Sequence, residues 1–311
     1  MRREVLAGLA LTVLLFGSAY LAAGDGAVQE ETKTEQTAGD AGVTLRVLED
    51  GTVKDMTLEK YLQGVVRGEM PASFEMEALK AQAAAERTYV YYQLAAGRKE
   101  KHPEADVCTD HTCCSAFLSE QAAREKWGGD YDPWEARIEQ AVAETDGQAV
   151  LYGGQPILAV FHSSSAGKTA AAEDVWSGEL PYLKSVDSKG DRQAPNNETT
   201  VTIAAKALAE RLGIAEDAAV SVKKRTEAGY VAEVQAGSKT FSGREIRERL
   251  GLRSADFTIA KNGDSYIFTV HGYGHGAGMS QYGASFLAEQ GKNYHEILRH
   301  YYTGISFSIL E

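Results

Sequence analysis

Residues 265–290 read SYIFTVHGYGHGAGMSQYGASFLAEQ, a pattern that predicts a strand, a glycine-rich turn and a helix. Glycine stands at every second position from 272 to 278, which indicates a backbone that passes very close to another part of the molecule. The spacing of Gly272, Gly274 and Ala277 nearly fits a dinucleotide-binding turn. No second strand with a terminal acid follows, however, and the unit lacks a βαβ partner. We therefore predict an α+β fold of mixed helices and sheets, without a nucleotide site.

A predicted helix over 58–69 carries the leading catalytic candidate. Thr57 is a good N-cap, and apolar residues recur at 58, 61, 62, 65 and 66, as in an amphipathic helix. Glu69 is the next member of that stripe, and Pro71 ends the helix beside it. Because burying an ionised carboxylate is costly, we predict that Glu69 has a raised pKa and acts as a general acid. The alternative is a frayed helix end at which Glu69 is exposed or paired with Arg87.

A second helix, predicted over 74–96, presents two cations. Lys80 and Arg87 are seven residues apart, so they share one face. They would hold a substrate anion such as a carboxylate, or they would simply form a solvated face.

Two loops carry polar groups that suit a substrate. His271 and His275 lie on the glycine-rich stretch, where metal or substrate binding and simple packing all fit. Ser164 and Ser165 follow an apolar run that ends at Phe161. Their hydroxyl groups suit a sugar or an acetamide group, unless the loop is a purely structural turn.

Composition and charge narrow the class of protein. The chain has 311 residues, 43% of them hydrophobic, and a net charge of −12, which is typical of a globular protein. The acidic balance argues against nucleic acid or an anionic membrane surface as a partner, because few positive charges are available to neutralise phosphates.

Helical and strand-like patterns between residues 199 and 253 predict a small α/β subdomain inserted in a main domain over 43–311.

The N-terminus predicts a compartment. Arg2 and Arg3 precede an uncharged stretch from Val5 to Ala23 that is just long enough to span a bilayer. The basic flank stays in the cytoplasm, so the rest lies outside the cell membrane. We predict a transmembrane anchor over 1–24 and a flexible tether over 25–42. A cleaved signal peptide is the alternative, with the same compartment for the body.

All three cysteines are close together. Cys108, Cys113 and Cys114 lie with His102 and His111 inside thirteen residues. Four of these five side chains would complete a tetrahedral, structural zinc site. A disulfide from Cys108 to Cys113 or Cys114 is the alternative, but it would leave the third cysteine unpaired.

Five motifs together resemble the stage II sporulation protein D family, from about residue 43 to the C-terminus. They are VRGEMP at 66–71, EALKAQ at 77–82, RTY at 87–89, PYL at 181–183 and HGYGHGAGMSQYG at 271–283. The resemblance implies a peptidoglycan lytic transglycosylase that cuts glycan strands lacking stem peptides during engulfment of the forespore. It also implies single-pass anchoring in the mother-cell membrane facing the forespore. The implied partners are the amidase stage II sporulation protein P and the membrane protein stage II sporulation protein M.

The resemblance also assigns site residues. The catalytic acid falls on Glu69, and the supporting residues fall on Lys80, Arg87 and Tyr182. We add Ser164, Ser165, His275 and Gln281 as predicted substrate contacts. Zinc ligands in some members fall on His102, Cys108, Cys113 and Cys114, although Cys113 stands where histidine is expected.

One catalytic carboxylate is enough for a lytic transglycosylase, because the C6 hydroxyl of muramic acid itself closes on C1. Glu69 would protonate the leaving oxygen and then take the hydroxyl proton. Two alternatives remain. A muramidase-type hydrolase needs a second acid, for which Asp174 is the candidate. A non-catalytic glycan-binding amidase enhancer needs none.

Overall fold

The computed structural model describes residues 39–176 and 178–310. The predicted anchor over 1–24 and most of the predicted tether lie outside these residues. Residues 39–42 do not extend the tether, because Asp40 is buried against the folded body. Within the described ranges, no helix is both long and apolar enough to cross a membrane.

Two helices form the centre of the main hydrophobic core. Strands β1 (Thr44–Glu49) and β2 (Thr52–Thr57) form an antiparallel pair that leads directly into α1 (Leu58–Glu69). As predicted, the Thr57 side chain caps α1, accepting a hydrogen bond from the Lys60 N–H at 3.3 Å. Helix α2 (Met76–Ala96) is lined with alanine, which allows close packing with its neighbours. Strand β3 (Val107–Cys108) pairs in parallel with β1.

The middle of the chain packs on these two helices. It contains α3 (Glu120–Trp127), α4 (Tyr131–Ala143) and the antiparallel pair β4 (Gln148–Tyr152) and β5 (Gln155–Pro156). The buried pair Arg67 and Glu135 joins α1 to α4, with Nε of Arg67 2.8 Å from a Glu135 carboxylate oxygen. Strand β6 (Phe161–His162) and the short helix α5 (Ala172–Val175) follow.

A second hydrophobic core lies among the elements between residues 198 and 271, a stretch that includes residues 199–253, for which an inserted subdomain is predicted. Its elements are β7 (Glu198–Ala204), α6 (Ala205–Leu212), β8 (Val220–Arg225), β9 (Val231–Ala236), β10 (Lys239–Phe241), α7 (Gly243–Leu250), β11 (Asp256–Asn262) and β12 (Ser265–His271). They form two three-stranded antiparallel sheets, ordered β10-β9-β8 and β11-β12-β7. The core includes Phe257, Phe268 and Val270. It therefore extends beyond the predicted limit at residue 253, because β11 and β12 complete the second sheet.

The last part of the chain returns to the main core. Strand β13 (Met279–Ser280) pairs in parallel with β6, and α8 (Gln281–Glu289) follows it directly. Two elements that the sequence analysis does not predict come next, α9 (Tyr294–Tyr301) and β14 (Ser306–Ile309). Strand β14 pairs with β4, so the described chain ends on the main domain.

The glycine-rich stretch makes the close approach that its sequence predicts. Gly272, Gly274, Gly276 and Gly278 all have positive φ angles, between 73° and 118°. A Cβ atom on Gly278 would lie 2.0 Å from the Val160 carbonyl oxygen, and one on Gly274 would lie 2.6 Å from Cβ of His162. Only glycine fits such positions, so this stretch lies directly against the segment around β6.

Candidate active site

Glu69 lies in a cavity of about 540 Å³ between the end of α1, the β6 segment and the glycine-rich stretch. The cavity walls include Tyr89, His111, His162, Tyr273, His275 and Gln281. Among the described residues, Glu69 is the only Asp or Glu that lines it. A general acid at this position would therefore act alone.

The environment of Glu69 favours its protonated form. Burial raises the pKa of Glu69, while the Ala116 N–H and the nearby His111 oppose that increase. The Ala116 N–H donates to Oε1 of Glu69 at 2.5 Å. The backbone carbonyl of Glu69 accepts a hydrogen bond from Nε2 of Gln281 at 2.9 Å. A raised pKa suits a group that must donate a proton.

A second carboxyl group, that of Glu86 on α2, lies close enough to Glu69 to be affected by its charge, and it is completely buried. Its oxygens accept hydrogen bonds from the Ser115 hydroxyl at 2.9 Å and from Nε2 of Gln82 at 3.2 Å. Burial is the main cause that raises the pKa of Glu86 to about 8, and the negative charge of Glu69 is the second cause. Glu86 is therefore mostly protonated at neutral pH. Glu86 was not predicted, although a carboxylate directly after the alanine-rich run at 81–85 is the same kind of signal that marks Glu69.

Two neutral histidines form another part of the wall. Nδ1 of His275 accepts a hydrogen bond from the Ala277 N–H at 3.1 Å, and Nδ1 of His162 donates to the Ala277 carbonyl at 3.2 Å. Burial lowers the pKa of His162 to about 4 and that of His275 to about 3. Nε2 of His162 is buried and has no hydrogen-bond partner among the described residues. The two imidazoles bring no positive charge to the cavity near neutral pH.

The predicted cationic face of α2 does not contact this cavity. Arg87 is fully buried, and its guanidinium pairs with Asp40, with Nη2 2.8 Å from Oδ2. Lys80 pairs instead with Glu77, at 2.7 Å, and with Glu144. The prediction that Lys80 and Arg87 form a shared face for a substrate anion is wrong, because both side chains already have carboxylate partners. Arg87 pairs with Asp40, and Lys80 pairs with Glu77 of its own helix and with Glu144. Glu69 is likewise not paired with Arg87.

Three other predicted substrate contacts do not line the cavity but form hydrogen bonds inside the protein. The Ser165 hydroxyl donates to Asp191 at 2.5 Å, and the Ser164 hydroxyl donates to Asn197 at 3.1 Å. The Tyr182 oxygen accepts from the Leu158 N–H at 3.1 Å. Ser164, Ser165 and Tyr182 are buried. Of the seven predicted substrate contacts, the structure brings His275 and Gln281 to the cavity that contains Glu69.

The cysteine cluster is compact. Ligand atoms of His102, Cys108, Cys113 and Cys114 all lie within 4.8 Å of one another, and all three cysteines are free thiols. Nδ1 of His102 is 3.0 Å from the Ala105 carbonyl, while its Nε2 is 3.5 Å from Sγ of Cys114. His111, the alternative ligand, is 77% exposed and lines the Glu69 cavity instead.

Asp174, the candidate second acid, lies in a different cavity. This larger cavity, of about 700 Å³, is lined by α5, α7 and β9 and shares His275 as a lining residue with the Glu69 cavity. The Asp174 side chain is exposed. It therefore does not form the second carboxylate of the Glu69 cavity.

Comparisons with known proteins agree with the motifs. A family model described as stage II sporulation protein matches residues 49–152. The chain is 40% identical to stage II sporulation protein D of Bacillus subtilis over 260 residues, which cover 83% of this chain and 76% of that protein. It is 38% identical to stage II sporulation protein D of Bacillus amyloliquefaciens over 286 residues, covering 90% and 83%. It is also 28% identical over 307 residues to the amidase enhancer of Bacillus subtilis, covering 79% and 40%.

Proposed function

Because this chain belongs to the stage II sporulation protein D family, we propose that it is a lytic transglycosylase that cuts peptidoglycan strands lacking stem peptides. The observation that carries this proposal is the single, half-buried carboxyl group of Glu69 with a raised pKa. Hydrolysis with two carboxylates would need a second acid in the same cavity. Asp174 does not supply it, and Glu86 is completely buried.

The proposed reaction uses one proton twice. Glu69 donates its proton to the glycosidic oxygen while the bond from that oxygen to C1 of N-acetylmuramic acid breaks. The C6 hydroxyl oxygen of the same sugar then bonds to C1, and the Glu69 carboxylate takes the hydroxyl proton. The products are a 1,6-anhydro end and a free N-acetylglucosamine hydroxyl, and Glu69 regains its starting state.

Mass spectrometry of the products from peptide-free glycan tests this reaction. We expect 1,6-anhydro ends from the native sequence and at least roughly a hundredfold lower rate for Glu69→Gln, which keeps the size of the side chain but not its acidity. Reducing ends would instead identify a muramidase. Absence of any product, with glycan binding retained, would favour a non-catalytic role such as the name of the amidase enhancer suggests.

For the cysteine cluster, we propose a structural zinc ion. The compact set of one imidazole and three thiols suits a closed tetrahedral site. The hydrogen bond at Nδ1 of His102 leaves Nε2 as the ligand atom, and Nζ of Lys99, 3.6 Å from Sγ of Cys114, would offset part of the thiolate charge. The ion would hold the segment that carries Ala116 against Glu69 and would take no part in the chemistry. Metal analysis should find about one zinc per chain.

We also propose where the protein acts. Residues 1–24 would anchor the protein in the mother-cell membrane, with the folded body outside the cytoplasm and facing the forespore. Stage II sporulation protein P would remove the stem peptides, and stage II sporulation protein M would share the membrane. Co-purification of the full chain from detergent-solubilised sporulating cells tests the association with both partners.

A further inference from the structure

The cavity formed by α5, α7 and β9 adjoins the Glu69 cavity, and His275 lines both. This second cavity has a volume of about 700 Å³, larger than the 540 Å³ around Glu69. A polymeric substrate bound at Glu69 must continue beyond the cut bond, so it needs further surface on at least one side. The second cavity offers such a surface.

An aromatic face lies at the boundary of the two cavities. The half-buried indole of Trp176 is 5.2 Å from the His275 ring, measured between ring centres. A pyranose ring has an apolar C–H face and a polar rim, which matches an aromatic ring surrounded by hydrogen-bonding groups. Trp176 therefore provides a surface on which a sugar ring can stack.

Arg247 supplies hydrogen-bond donors to the same cavity. Its Nε donates to the Arg253 carbonyl at 3.3 Å, and it forms no ion pair among the described residues. The neighbouring Arg244, in contrast, pairs with Glu248 at 2.8 Å. The terminal N–H groups of Arg247 are thus suited to a carbonyl or hydroxyl oxygen of a ligand.

The charge of the lining separates neutral ligands from anionic ones. The charged side chains that line the cavity have a formal net charge of −2. They are the four carboxylates Glu173, Asp174, Glu245 and Glu248 and the two guanidinium groups Arg244 and Arg247. A ligand carboxylate would be repelled by this excess, whereas sugar hydroxyls can donate to the acidic oxygens. The lining therefore fits an uncharged sugar better than a sugar acid.

We propose that the second cavity is a glycan subsite for an uncharged N-acetylhexosamine ring, with Trp176 as the stacking surface and Arg247 as the donor to the acetamido carbonyl. Its negative lining disfavours the lactyl carboxylate of a peptide-free muramic acid, and so sets which sugar of the alternating strand lies next to the Glu69 cavity. This inference rests on the proposed function only in taking a peptidoglycan strand as the ligand.

Calorimetric binding of N-acetylglucosamine oligomers of increasing length tests the subsite, with Glu69→Gln as the background so that nothing is cleaved. We expect affinity to rise at the length that fills both cavities. Trp176→Ala should remove that increment, roughly tenfold, without weakening the shortest ligand that binds. Trp176→Phe should retain most of the increment. Tyr152→Ala, which removes another partly exposed aromatic ring that lines neither cavity, should change nothing.

Equal loss of affinity at every length, or no loss in Trp176→Ala, would overturn the subsite. Because binding is measured without cleavage, a length-dependent loss would support the subsite even if the native protein formed no anhydro ends.

The double variant Glu173→Gln and Asp174→Asn tests the selection by charge. This variant should bind muramic acid-containing strands several-fold more tightly relative to N-acetylglucosamine oligomers, most clearly at low salt. An unchanged ratio would refute the selection by charge.

Discussion

Gln281, the first residue of α8, donates a 2.9 Å hydrogen bond to the backbone carbonyl of Glu69, the last residue of α1, across 212 residues of sequence. The bond satisfies a carbonyl at a helix end that has no partner in its own helix. It also fixes the position of the catalytic candidate relative to the glycine-rich stretch. In addition to lining the cavity, Gln281 is thus placed to act on the proposed reaction through Glu69.

Gln281→Leu should lower kcat for glycan cleavage by roughly tenfold to a hundredfold, because small displacements of a catalytic group are costly. We expect the melting temperature to fall by only a few degrees, the effect of about one lost hydrogen bond. Gln235→Leu is the control, because it removes a half-buried amide that hydrogen-bonds to the Gly237 and Lys239 carbonyls far from the cavity. An unchanged kcat in Gln281→Leu would remove the positioning role.

Glu86→Gln should stabilise the protein at neutral and alkaline pH. The folded-state pKa of about 8 exceeds the ordinary value of 4.5, so the folded state binds more protons than the unfolded state between these values. The contribution of Glu86 to stability is therefore complete below pH 4.5 and is lost as the pH rises towards 8. Urea unfolding at pH 5 and pH 8 should show a gain for Glu86→Gln that grows with pH. Glu59→Gln, on the exposed face of α1, is the control for replacing a carboxylate that is not buried.

Glu86→Gln also tests whether Glu86 influences the pH dependence of the cleavage rate. Because the pKa of Glu86 is about 8, Glu86 is mostly protonated at and below neutral pH, so Glu86→Gln should leave the pH–rate profile in that range unchanged. A shift of the profile there would mean that the two groups share a proton in the active state.

Arg87→Met should destabilise the fold by about 3–5 kcal/mol, because it leaves the buried Asp40 carboxylate without its partner. Chemical denaturation measures this loss. Adding Asp40→Leu to Arg87→Met should recover a large part of it, since both charges are then removed. Glycan affinity of the folded double variant should equal that of the native protein. A specific loss of affinity would return Arg87 to a substrate-binding role.

Removal of the proposed zinc should impair the site indirectly. Chelation, or Cys108→Ser, should lower the melting temperature and reduce cleavage, because the segment that presents the Ala116 N–H to Glu69 would lose its support. Restoring zinc should restore both properties after chelation but not in Cys108→Ser. Full activity of a metal-free protein with a Cys108 disulfide would replace zinc with the redox alternative.

Local signals predicted much of the framework. The Thr57 cap, the apolar stripe and Pro71 predicted α1 and placed Glu69 at its end. The alternating glycines predicted the close approach to β6. Helix α9 was not predicted, although Asn293 and Glu296 carry a comparable signal and form a capping box.

Long-range pairing was not predictable in the same way. Arg87 finds its partner in Asp40, 47 residues away in a segment whose composition is typical of a tether. Periodicity reports only which face of a helix is apolar, so it cannot identify the partner of a buried charge or the cavity that a side chain lines. For the same reason the separation of Asp174 from Glu69 became visible only in the three-dimensional arrangement.

The parallel pairing of β6 with β13 has a consequence for the order of events in biogenesis. Glu69 is made early, but the glycine-rich wall facing it comes from the last fifth of the chain. Such distant contacts close late and slowly in folding. A chain still being synthesised therefore carries α1 without a completed cavity. The proposed glycan cleavage can arise only once nearly the whole polypeptide has been made and folded.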